Sequence, residues 1–300
     1  MSITVSNISK SYKSVKALEN ISFNVKEGEL FGLIGPDGAG KTTLFRILTT
    51  LLIANEGSAT VAGFDVVSDY KKIRNSVGYM PGKFSLYQDL TVEENLNFFA
   101  TIFGTTIEEN YDLIKEIYVQ LEPFKDRRAG KLSGGMKQKL ALCCALIHKP
   151  KVLFLDEPTT GVDPVSRKEF WEMLKRLQQK NITILVSTPY MDEAALCDRI
   201  ALIQDGEILQ IDTPQEIVKH YPKQIYNVRA NNMYQLISAL NAYEFNHSVY
   251  PFGEFVHYTD KRTDFNPEDL KVYLEAKNLS NIHIDKTVAT IEDTFMELAK

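Results

Sequence analysis

The segment Gly35–Thr43 constrains the fold of this chain more than any other, because it has the form Gly-x-x-x-x-Gly-Lys-Thr of a phosphate-binding loop. It follows the apolar run Leu30–Ile34, which predicts a buried strand, and it precedes Leu44–Leu48, which predicts a helix. A glycine-rich turn between a strand and a helix directs backbone N–H groups and the positive end of the helix dipole at an anion. The segment therefore predicts an α/β fold that binds a nucleoside triphosphate.

The residues of this loop have separate predicted roles. Its glycines can adopt positive φ, which turns successive N–H groups towards one anion. Lys41 is expected to reach the β- and γ-phosphates, and the hydroxyl of Thr42 is expected to ligate Mg²⁺. The residues predicted to contact the nucleotide are Gly35, Pro36, Asp37, Gly38, Ala39, Gly40, Lys41, Thr42 and Thr43. The alternative is a glycine-rich turn with an incidental lysine. It would not explain why the fixed motif positions occur between a strand pattern and a helix pattern, as a phosphate-binding loop requires.

A second segment, Val152–Asp156, consists of four apolar residues followed by a carboxylate, and Glu157 comes next. This pattern predicts a buried strand that delivers Asp156 to the phosphate site, where it can hold Mg²⁺ through the water shell of the metal. Glu157 is then placed to orient or deprotonate an attacking water. Paired carboxylates at the end of a strand can also be a solvated turn, and the upstream phosphate loop favours the functional interpretation.

A third segment begins at Leu132 and leads into the apolar run Leu140–Ile147, which predicts a helix. Ser133 has the side chain of an N-cap, and Gly134 and Gly135 would expose backbone N–H groups at the positive end of that helix. The segment predicts a second anion site. By itself it would equally fit an ordinary helix start.

In this chain order, the segments resemble the nucleotide-binding subunit of ABC (ATP-binding cassette) transporters over residues 2–215. The resemblance identifies Gly35–Thr43 as Walker A, Leu132–Met136 as the signature and Val152–Asp156 as Walker B. It also implies that the nucleotide is ATP, bound with Mg²⁺, and that the chain is an ABC-type ATPase.

The same resemblance assigns roles to single residues. Asp163 corresponds to the D-loop aspartate, and Tyr12 to the aromatic residue that stacks on adenine. Lys41 and Glu157 are the implied catalytic residues, while Thr42 and Asp156 are the implied metal ligands. In this family two cassettes associate head to tail, so that each ATP lies between Walker A of one and the signature of the other. The implied partners are a second cassette, in a homodimer or heterodimer, and an integral-membrane subunit.

Three further segments resemble the drug-resistance and sodium-export branch of the family, namely Gly78–Pro81, Tyr87–Val92 and Thr290–Leu298. The branch implies a subunit that is peripheral on the cytoplasmic face of the membrane and powers export. We expect the groove near Gly82 and the helical segment 86–121 to contact the membrane subunit.

The predicted fold class is α/β, a P-loop ABC-cassette fold with a mixed sheet core, an antiparallel β subdomain and a helical subdomain. We expect the cassette to occupy residues 1–218, with the helical subdomain at about 86–147. Residues 219–300 alternate strand and helix patterns without a catalytic constellation. They predict a small α+β accessory domain, with a split-βαβ order as a candidate topology.

Two positions depart from the family pattern. Gly82 stands where the Q-loop glutamine is expected, and Pro189 stands where the switch histidine is expected. Glycine has no side chain to position a water, and proline has neither a side-chain donor nor a backbone N–H. Losing one preorganised hydrogen-bond donor to the transition state typically slows a reaction about 10²–10³-fold. We therefore expect ATP binding to persist and hydrolysis to be slowed.

Two hypotheses follow from these departures. In the first, the chain is a slow ATPase that works through Glu157. Lys83 or Gln88 would then compensate for the glutamine, and Thr188 or Tyr190 for the histidine. In the second, the chain forms a degenerate half-site paired with a different, competent cassette.

The composition limits other functions. A net charge of -5 argues against nucleic acid as a partner, although a non-transport ABC ATPase acting on ribosomes or nucleic acid is the alternative function. No apolar run reaches the roughly eighteen residues that span a bilayer, so we expect any membrane role to come through a partner. Cys143, Cys144 and Cys197 lack metal-site spacing and are expected to be reduced thiols, the first two in a helix core.

Overall fold

The computed structural model describes residues 1–300, which divide into two compact units, Met1–Pro214 and Gln215–Lys300. The domain boundary expected at residue 218 falls inside the helix Pro214–Lys219, close to the point where the two units separate. None of the helices combines the length and the apolar character needed to cross a membrane.

The first unit alternates strands and helices. Its strands are β1 (Ile3–Tyr12), β2 (Val15–Val25), β3 (Leu30–Ile34), β4 (Glu56–Val61), β5 (Phe64–Asp65), β6 (Val77–Met80), β7 (Val152–Asp156), β8 (Thr183–Thr188), β9 (Arg199–Gln204) and β10 (Glu207–Asp212). Its helices are α1 (Lys41–Leu48), α2 (Tyr70–Ser76), α3 (Val92–Ile102), α4 (Tyr111–Tyr118), α5 (Gly134–Leu146), α6 (Pro164–Gln179) and α7 (Met191–Ala194), and α8 (Pro214–Lys219) leads into the second unit.

The central sheet has six strands in the order β10-β9-β3-β8-β7-β6, and all neighbours are parallel except β9 and β10. Every residue of β3, β7 and β8 is buried, which is why these strands are almost continuous apolar runs in the sequence. The parallel register sets Ile34 beside Thr188 and Asp156 beside Ser187. The carboxyl ends of β3, β7 and β8 therefore meet at one edge, where ligands bind in open α/β sheets.

The edge hairpin of the central sheet turns where the sequence predicts it. Asp205 and Gly206 connect β9 to β10, and both have positive φ, 49° and 82°. That geometry is the one that Asp-Gly turns favour between twisted antiparallel strands. The prediction of a hairpin at this dipeptide is confirmed.

A second, antiparallel sheet with the order β2-β1-β4-β5 packs against the same core. One hydrophobic cluster combines side chains of this sheet, such as Ile3 and Val61, with α1 and with the central sheet. Phe45 of α1 meets Phe154 of β7 edge to face, with ring centroids 5.9 Å apart. This packing holds the helix that follows the phosphate loop against the sheet.

The helices α3, α4 and α5 form the helical part of the first unit, together with short 3₁₀ turns at Glu108–Asn110, Glu122–Phe124 and Ala129–Lys131. The capping box predicted at the start of α3 is confirmed. Thr91 Oγ1 accepts a hydrogen bond from the Glu94 amide at 3.1 Å, and Glu94 Oε2 accepts one from the Thr91 amide at 2.8 Å.

The three cysteines are buried and unpaired. Burial raises the pKa of the Cys143, Cys144 and Cys197 thiols well above the ordinary value, because the thiolate loses its hydration. Cys143 and Cys144 lie in α5, as predicted, whereas Cys197 lies outside the helices, just after α7.

The second unit contains β11 (Ile225–Arg229), α9 (Met233–Asn241), β12 (Asn246–Phe252), β13 (Phe255–Asp260), α10 (Pro267–Ala276), β14 (His283–Thr287) and α11 (Ile291–Leu298). Its antiparallel sheet has the order β12-β13-β11-β14. This is the split-βαβ, ferredoxin-like arrangement, and the topology predicted for this segment is confirmed. Tyr258 and Leu240 belong to its own hydrophobic cluster.

Candidate nucleotide-binding site

The phosphate-binding loop lies at the carboxyl end of β3, and neighbouring backbone fixes its shape. A Cβ on Gly35 would come 2.0 Å from the carbonyl oxygen of Ile203. Gly40 has a φ of 100°, and a Cβ there would come 2.4 Å from the carbonyl oxygen of Ala17. Only glycine fits at these two positions, so the loop keeps its close approach to β9 and β2.

The tip of the loop faces solvent while its end is anchored in the core. Pro36, Asp37 and Gly38 are exposed, Ala39 is buried, and Gly40 is half-buried. Thr42 and Thr43 are half-buried in the first turn of α1. No acidic side chain occupies that first turn, which leaves the positive end of the helix without a neutralising charge from the helix itself.

Lys41 is folded back over the loop and is only 3% exposed. Its ammonium donates to the carbonyl oxygens of Gly35 at 2.8 Å and Pro36 at 2.9 Å. It also lies 3.1 Å from Glu157 Oε1. The structure thus brings together the two residues predicted to be catalytic, one from the phosphate-binding loop and one from the end of β7.

The two carboxylates predicted at the end of β7 have different environments. Asp156 is buried, and its Oδ1 accepts a hydrogen bond of 2.7 Å from Ser187 Oγ. Glu157 is partly exposed, and its backbone has a φ of 52°, in the left-handed region that residues other than glycine seldom adopt. Its amide donates to Ser187 O at 3.1 Å and to Ser187 Oγ at 3.0 Å.

The donors available for a metal ion are oxygen atoms. No cluster of three or more His, Cys, Asp or Glu side chains could hold an ion by itself. Thr42 offers a hydroxyl and Asp156 keeps Oδ2 unpartnered, and Mg²⁺ prefers such oxygens together with substrate phosphates. The residues present therefore fit Mg²⁺ that arrives with a nucleotide.

The signature segment begins α5 and contacts α6 rather than the phosphate-binding loop. Ser133 caps the helix, its Oγ accepting from the Met136 amide at 3.3 Å, as the sequence predicts. A Cβ on Gly135 would lie 2.7 Å from Ser166 Oγ, and one on Gly134 would lie 3.6 Å from the carbonyl oxygen of Gly161. No hydrogen bond or ion pair joins residues 133–135 to residues 35–43.

Asp163 and Tyr12 lie at two other edges of the first unit. Asp163 caps α6, and its carboxylate accepts from the amides of Val165 at 3.1 Å and Ser166 at 3.0 Å. The hydrogen bond from the Ser166 amide is the main cause that lowers the pKa of Asp163. Tyr12 ends β1 and is 44% exposed, on the same hairpin as Ala17.

The positions that depart from the family pattern lie beside the carboxylates. A Cβ on Gly82 would come 3.0 Å from the carbonyl oxygen of Asp156 and 3.8 Å from Glu157 Cβ. Pro189 is half-buried and directly follows β8. Of the side chains considered as replacements, Thr188 donates to Glu193 Oε2 at 2.5 Å and accepts from the Tyr190 amide at 3.1 Å.

Sequence reasoning missed a buried network behind this edge. Glu193 is 2% exposed and accepts from Thr159 Oγ1 at 2.7 Å as well as from Thr188. The guanidinium of Arg167 lies 4.1 Å from the ring centroid of Tyr190 and 3.7 Å from Glu193. The network ties the segments after β7 and β8 together. A glutamate near the start of a helix is normally predicted to be exposed, so the sequence gives no indication that Glu193 is buried.

Comparisons with known proteins identify the family. Residues 18–160 match the ABC transporter family. The Nod factor export ATP-binding protein I of Rhizobium sp. strain N33 is 33% identical over 302 residues, which cover 99% of this chain and 97% of that protein. This chain belongs to the ABC transporter family. The predicted family is confirmed, and so is its drug and export branch.

A second relative of this ABC cassette is longer. The probable multidrug ABC transporter ATP-binding protein of Escherichia coli strain K12 is 38% identical over 303 residues, covering 99% of this chain and 52% of that protein. The chain thus spans about half the length of that relative.

Solved structures agree with the cassette fold. A dimeric ATP-binding cassette in a post-hydrolysis state with ADP and Pi matches with a TM-score of 0.64 and 27% identity, over 70% of this chain and 98% of that one. The predicted fold class and the predicted enzyme class, an ABC-type ATPase, are confirmed.

Proposed function

We propose that this chain binds and hydrolyses ATP and thereby powers export through a separate membrane-spanning subunit. The contact between Lys41 and Glu157 carries the proposal, because it joins the phosphate-binding loop to the carboxylate at the end of β7. Family membership supports the activity, and the names of relatives, for multidrug and Nod factor export, support the direction.

The chemistry of Lys41 suggests how binding prepares the site. Its ammonium contacts two neutral carbonyl oxygens and one carboxylate oxygen. Phosphate oxygens are strongly charged acceptors, so we expect the triphosphate to take Lys41 from these partners. Glu157, released from the cation, then has its carboxylate oxygens available to accept a hydrogen bond from an attacking water. Binding of the substrate would thus free the base.

The other site residues hold and orient the substrate. The amides of residues 35–43 and the N-terminus of α1 would bind the phosphates, and Tyr12 would stack on the adenine. Thr42 and Asp156 would hold Mg²⁺ which, when bound, neutralises charge on the β- and γ-phosphate oxygens.

A second cassette completes the proposed site. Ser133, Gly134 and Gly135 present a capped helix start that makes no polar contact with the phosphate-binding loop of their own chain. A partner cassette could place this start, together with Asp163, over the ATP of its neighbour. The dimeric structural relative supports this arrangement. The partner is either a second copy or a different cassette with intact motifs.

The surface proposed for the membrane subunit is a groove beside Gly82. It has a volume of about 330 Å³, and its lining is largely apolar, including Met80, Leu86, Phe99 and Phe103. The chain would lie on the cytoplasmic face of the membrane through this contact. If the chain instead sedimented with ribosomes, or bound RNA or DNA in a salt-sensitive way without a membrane partner, the transport proposal would fail.

Calorimetry of the full chain with Mg-ATP tests the binding step. We expect Lys41→Ala to weaken ATP binding by about 100-fold or more, since it removes a buried cation from the phosphate site. Lys139→Ala is the matched control, because Lys139 is also buried and paired, with Glu169 at 2.7 Å, but lies in α5. Equal ATP affinity in the parent chain and Lys41→Ala would contradict the proposal.

A further inference from the structure

Ser187 is the residue through which β8 contacts both the carboxylate of Asp156 and the backbone amide of Glu157. Its side chain has no exposed surface. Its hydroxyl donates to Asp156 Oδ1 at 2.7 Å and accepts from the Glu157 amide at 3.0 Å. An ionised carboxylate can only accept and an amide N–H can only donate, so the direction of both hydrogen bonds is fixed.

The first consequence concerns the orientation of Asp156. The bond from Ser187 uses Oδ1 and leaves Oδ2 as the oxygen without a protein partner. A charge-assisted hydrogen bond of this length holds the carboxylate plane in one orientation. The oxygen available to a metal therefore points in a direction that Ser187 sets.

The second consequence concerns the backbone of Glu157. Its φ of 52° is unfavourable for a residue with a side chain and needs support from its surroundings. Ser187 supplies that support twice, through its carbonyl oxygen at 3.1 Å and its hydroxyl at 3.0 Å. The direction in which the Glu157 side chain leaves the strand end depends on this conformation.

We propose that Ser187 is a positioning residue that orients Asp156 towards the metal and Glu157 towards the attacking water. The proposal rests on the ATPase function proposed above. It matters in this chain because neither Gly82 nor Pro189 offers a side-chain donor beside the carboxylates. Because Ser187 has no exposed surface, we expect it to act only through its two neighbours.

The alternative is that Ser187 is simply a buried hydroxyl of a central strand. The same strand provides a control, because Thr183 is also buried and its Oγ1 accepts from the Gly28 amide at 3.0 Å. Thr183 lies at the opposite end of β8 from the carboxylates. Thr183→Val therefore removes a buried hydroxyl from β8 without touching Asp156 or Glu157.

The experiment compares Ser187→Ala, Ser187→Cys and Thr183→Val with the parent full-length chain. The binding measurements are the Mg²⁺ concentration that gives half-maximal binding of a fluorescent ATP analogue and the affinity for that analogue in EDTA. The thermal midpoint and the steady-state kcat and KM for ATP hydrolysis are measured on the same variants. For Ser187→Ala we expect the Mg²⁺ requirement to rise about tenfold, as for loss of one charge-assisted hydrogen bond. The affinity in EDTA should change less than about twofold, and kcat should fall about tenfold with little change in KM.

Thr183→Val should lower the thermal midpoint but leave the Mg²⁺ requirement at the parent value. If Ser187→Ala does not fold, Ser187→Cys keeps the volume with a weak donor, and a raised Mg²⁺ requirement in that variant supports the proposal. An unchanged Mg²⁺ requirement in the folded Ser187 variants, or an equal rise in Thr183→Val, overturns it. A parent chain that fails to bind Mg-ATP would instead contradict the proposed function.

Discussion

Each unit contains a carboxylate paired with a basic side chain, and the two pairs differ in how completely the carboxylate is satisfied. Asp293 in the second unit accepts from His257 Nδ1 at 2.7 Å through Oδ1 and from the amide and hydroxyl of Thr290, both at 2.7 Å, through Oδ2. Glu157 in the first unit has Lys41 as its side-chain partner, at 3.1 Å.

The surroundings of the two pairs differ in the same direction. His257 and Asp293 are each 4% exposed, and Asp293 belongs to the capping box that begins α11. Glu157 is 22% exposed and lies on a strained backbone. A saturated buried pair holds two elements together, whereas an incompletely satisfied pair at a strand end is free to exchange partners. The comparison teaches that unused acceptor positions, together with partial exposure, separate a pair suited to chemistry from a structural one.

The largest expected effect is on hydrolysis and concerns the pair of Lys41 and Glu157, called here the unsaturated pair because its carboxylate has unused acceptor positions. Glu157→Gln should lower the rate of ATP hydrolysis by about 10²–10³, because an amide cannot accept the proton of the attacking water. ATP affinity should be retained, since Lys41 and the loop amides remain. Steady-state hydrolysis and calorimetry measure the two quantities. Asp293→Asn is the matched substitution in the other pair, and a comparable loss of hydrolysis there would break the comparison.

Substitution in the pair of His257 and Asp293, called here the saturated pair, should lower the stability of the fold. Asp293→Ala removes the acceptor of three hydrogen bonds and is expected to cost about 2–4 kcal/mol of unfolding free energy. The affinity for Mg-ATP should stay at the parent value. Denaturant unfolding followed by circular dichroism, together with calorimetry, measures both. A weakened ATP affinity in the folded variant would show that the pair is not purely structural.

Substitution of Pro189 tests whether hydrolysis is limited by the missing side-chain donor beside the unsaturated pair. Pro189→His should raise the rate of hydrolysis by about tenfold, since it restores one side-chain donor near the site while Gly82 still offers none. The steady-state rate of the purified chain is the measurement, with Pro189→Ala as the control for loss of the ring. An unchanged rate in Pro189→His would mean that the missing histidine does not limit hydrolysis.

The smallest expected effect is acid sensitivity of the saturated pair. Burial alone would raise the pKa of Asp293, but the hydrogen bonds from His257 and Thr290 outweigh it and lower the pKa. A group whose folded pKa is lowered contributes stability above its unfolded pKa of about 3.9, and that stability is lost as the pH falls below this value. Unfolding free energies measured from about pH 5 down to about pH 2 should fall more steeply for the parent than for Asp293→Asn. Parallel pH profiles would contradict the assignment.

The sequence sufficed where local patterns determine the structure. The strand before Gly35, the cap at Ser133 and the Asp205–Gly206 turn depend on residues within a few positions of one another. The split-βαβ order of the second unit followed from the alternation of short patterns.

What the sequence could not reveal depends on register between distant segments. Ser187 meets Asp156 only because β7 and β8 pair in parallel at that position, 31 residues apart in the chain. Glu193 is buried because Thr159 and Thr188 lie on separate segments that converge on it. His257 reaches Asp293 across 36 residues. No local pattern encodes these contacts.

The close contact between Gly135 and Ser166 has a mechanical consequence. A methyl group at Gly135 would come within 2.7 Å of the Ser166 hydroxyl, so a side chain at this position would push the first turns of α5 and α6 apart. Asp163 fixes the start of α6 by capping it. If a neighbouring cassette places its nucleotide at the start of α5, it contacts a helix that packs through Gly135 on α6, and α6 begins a few residues after Glu157. A side chain larger than hydrogen at position 135 would therefore disturb both the proposed contact with a neighbour's nucleotide and the packing of α6 behind the carboxylates.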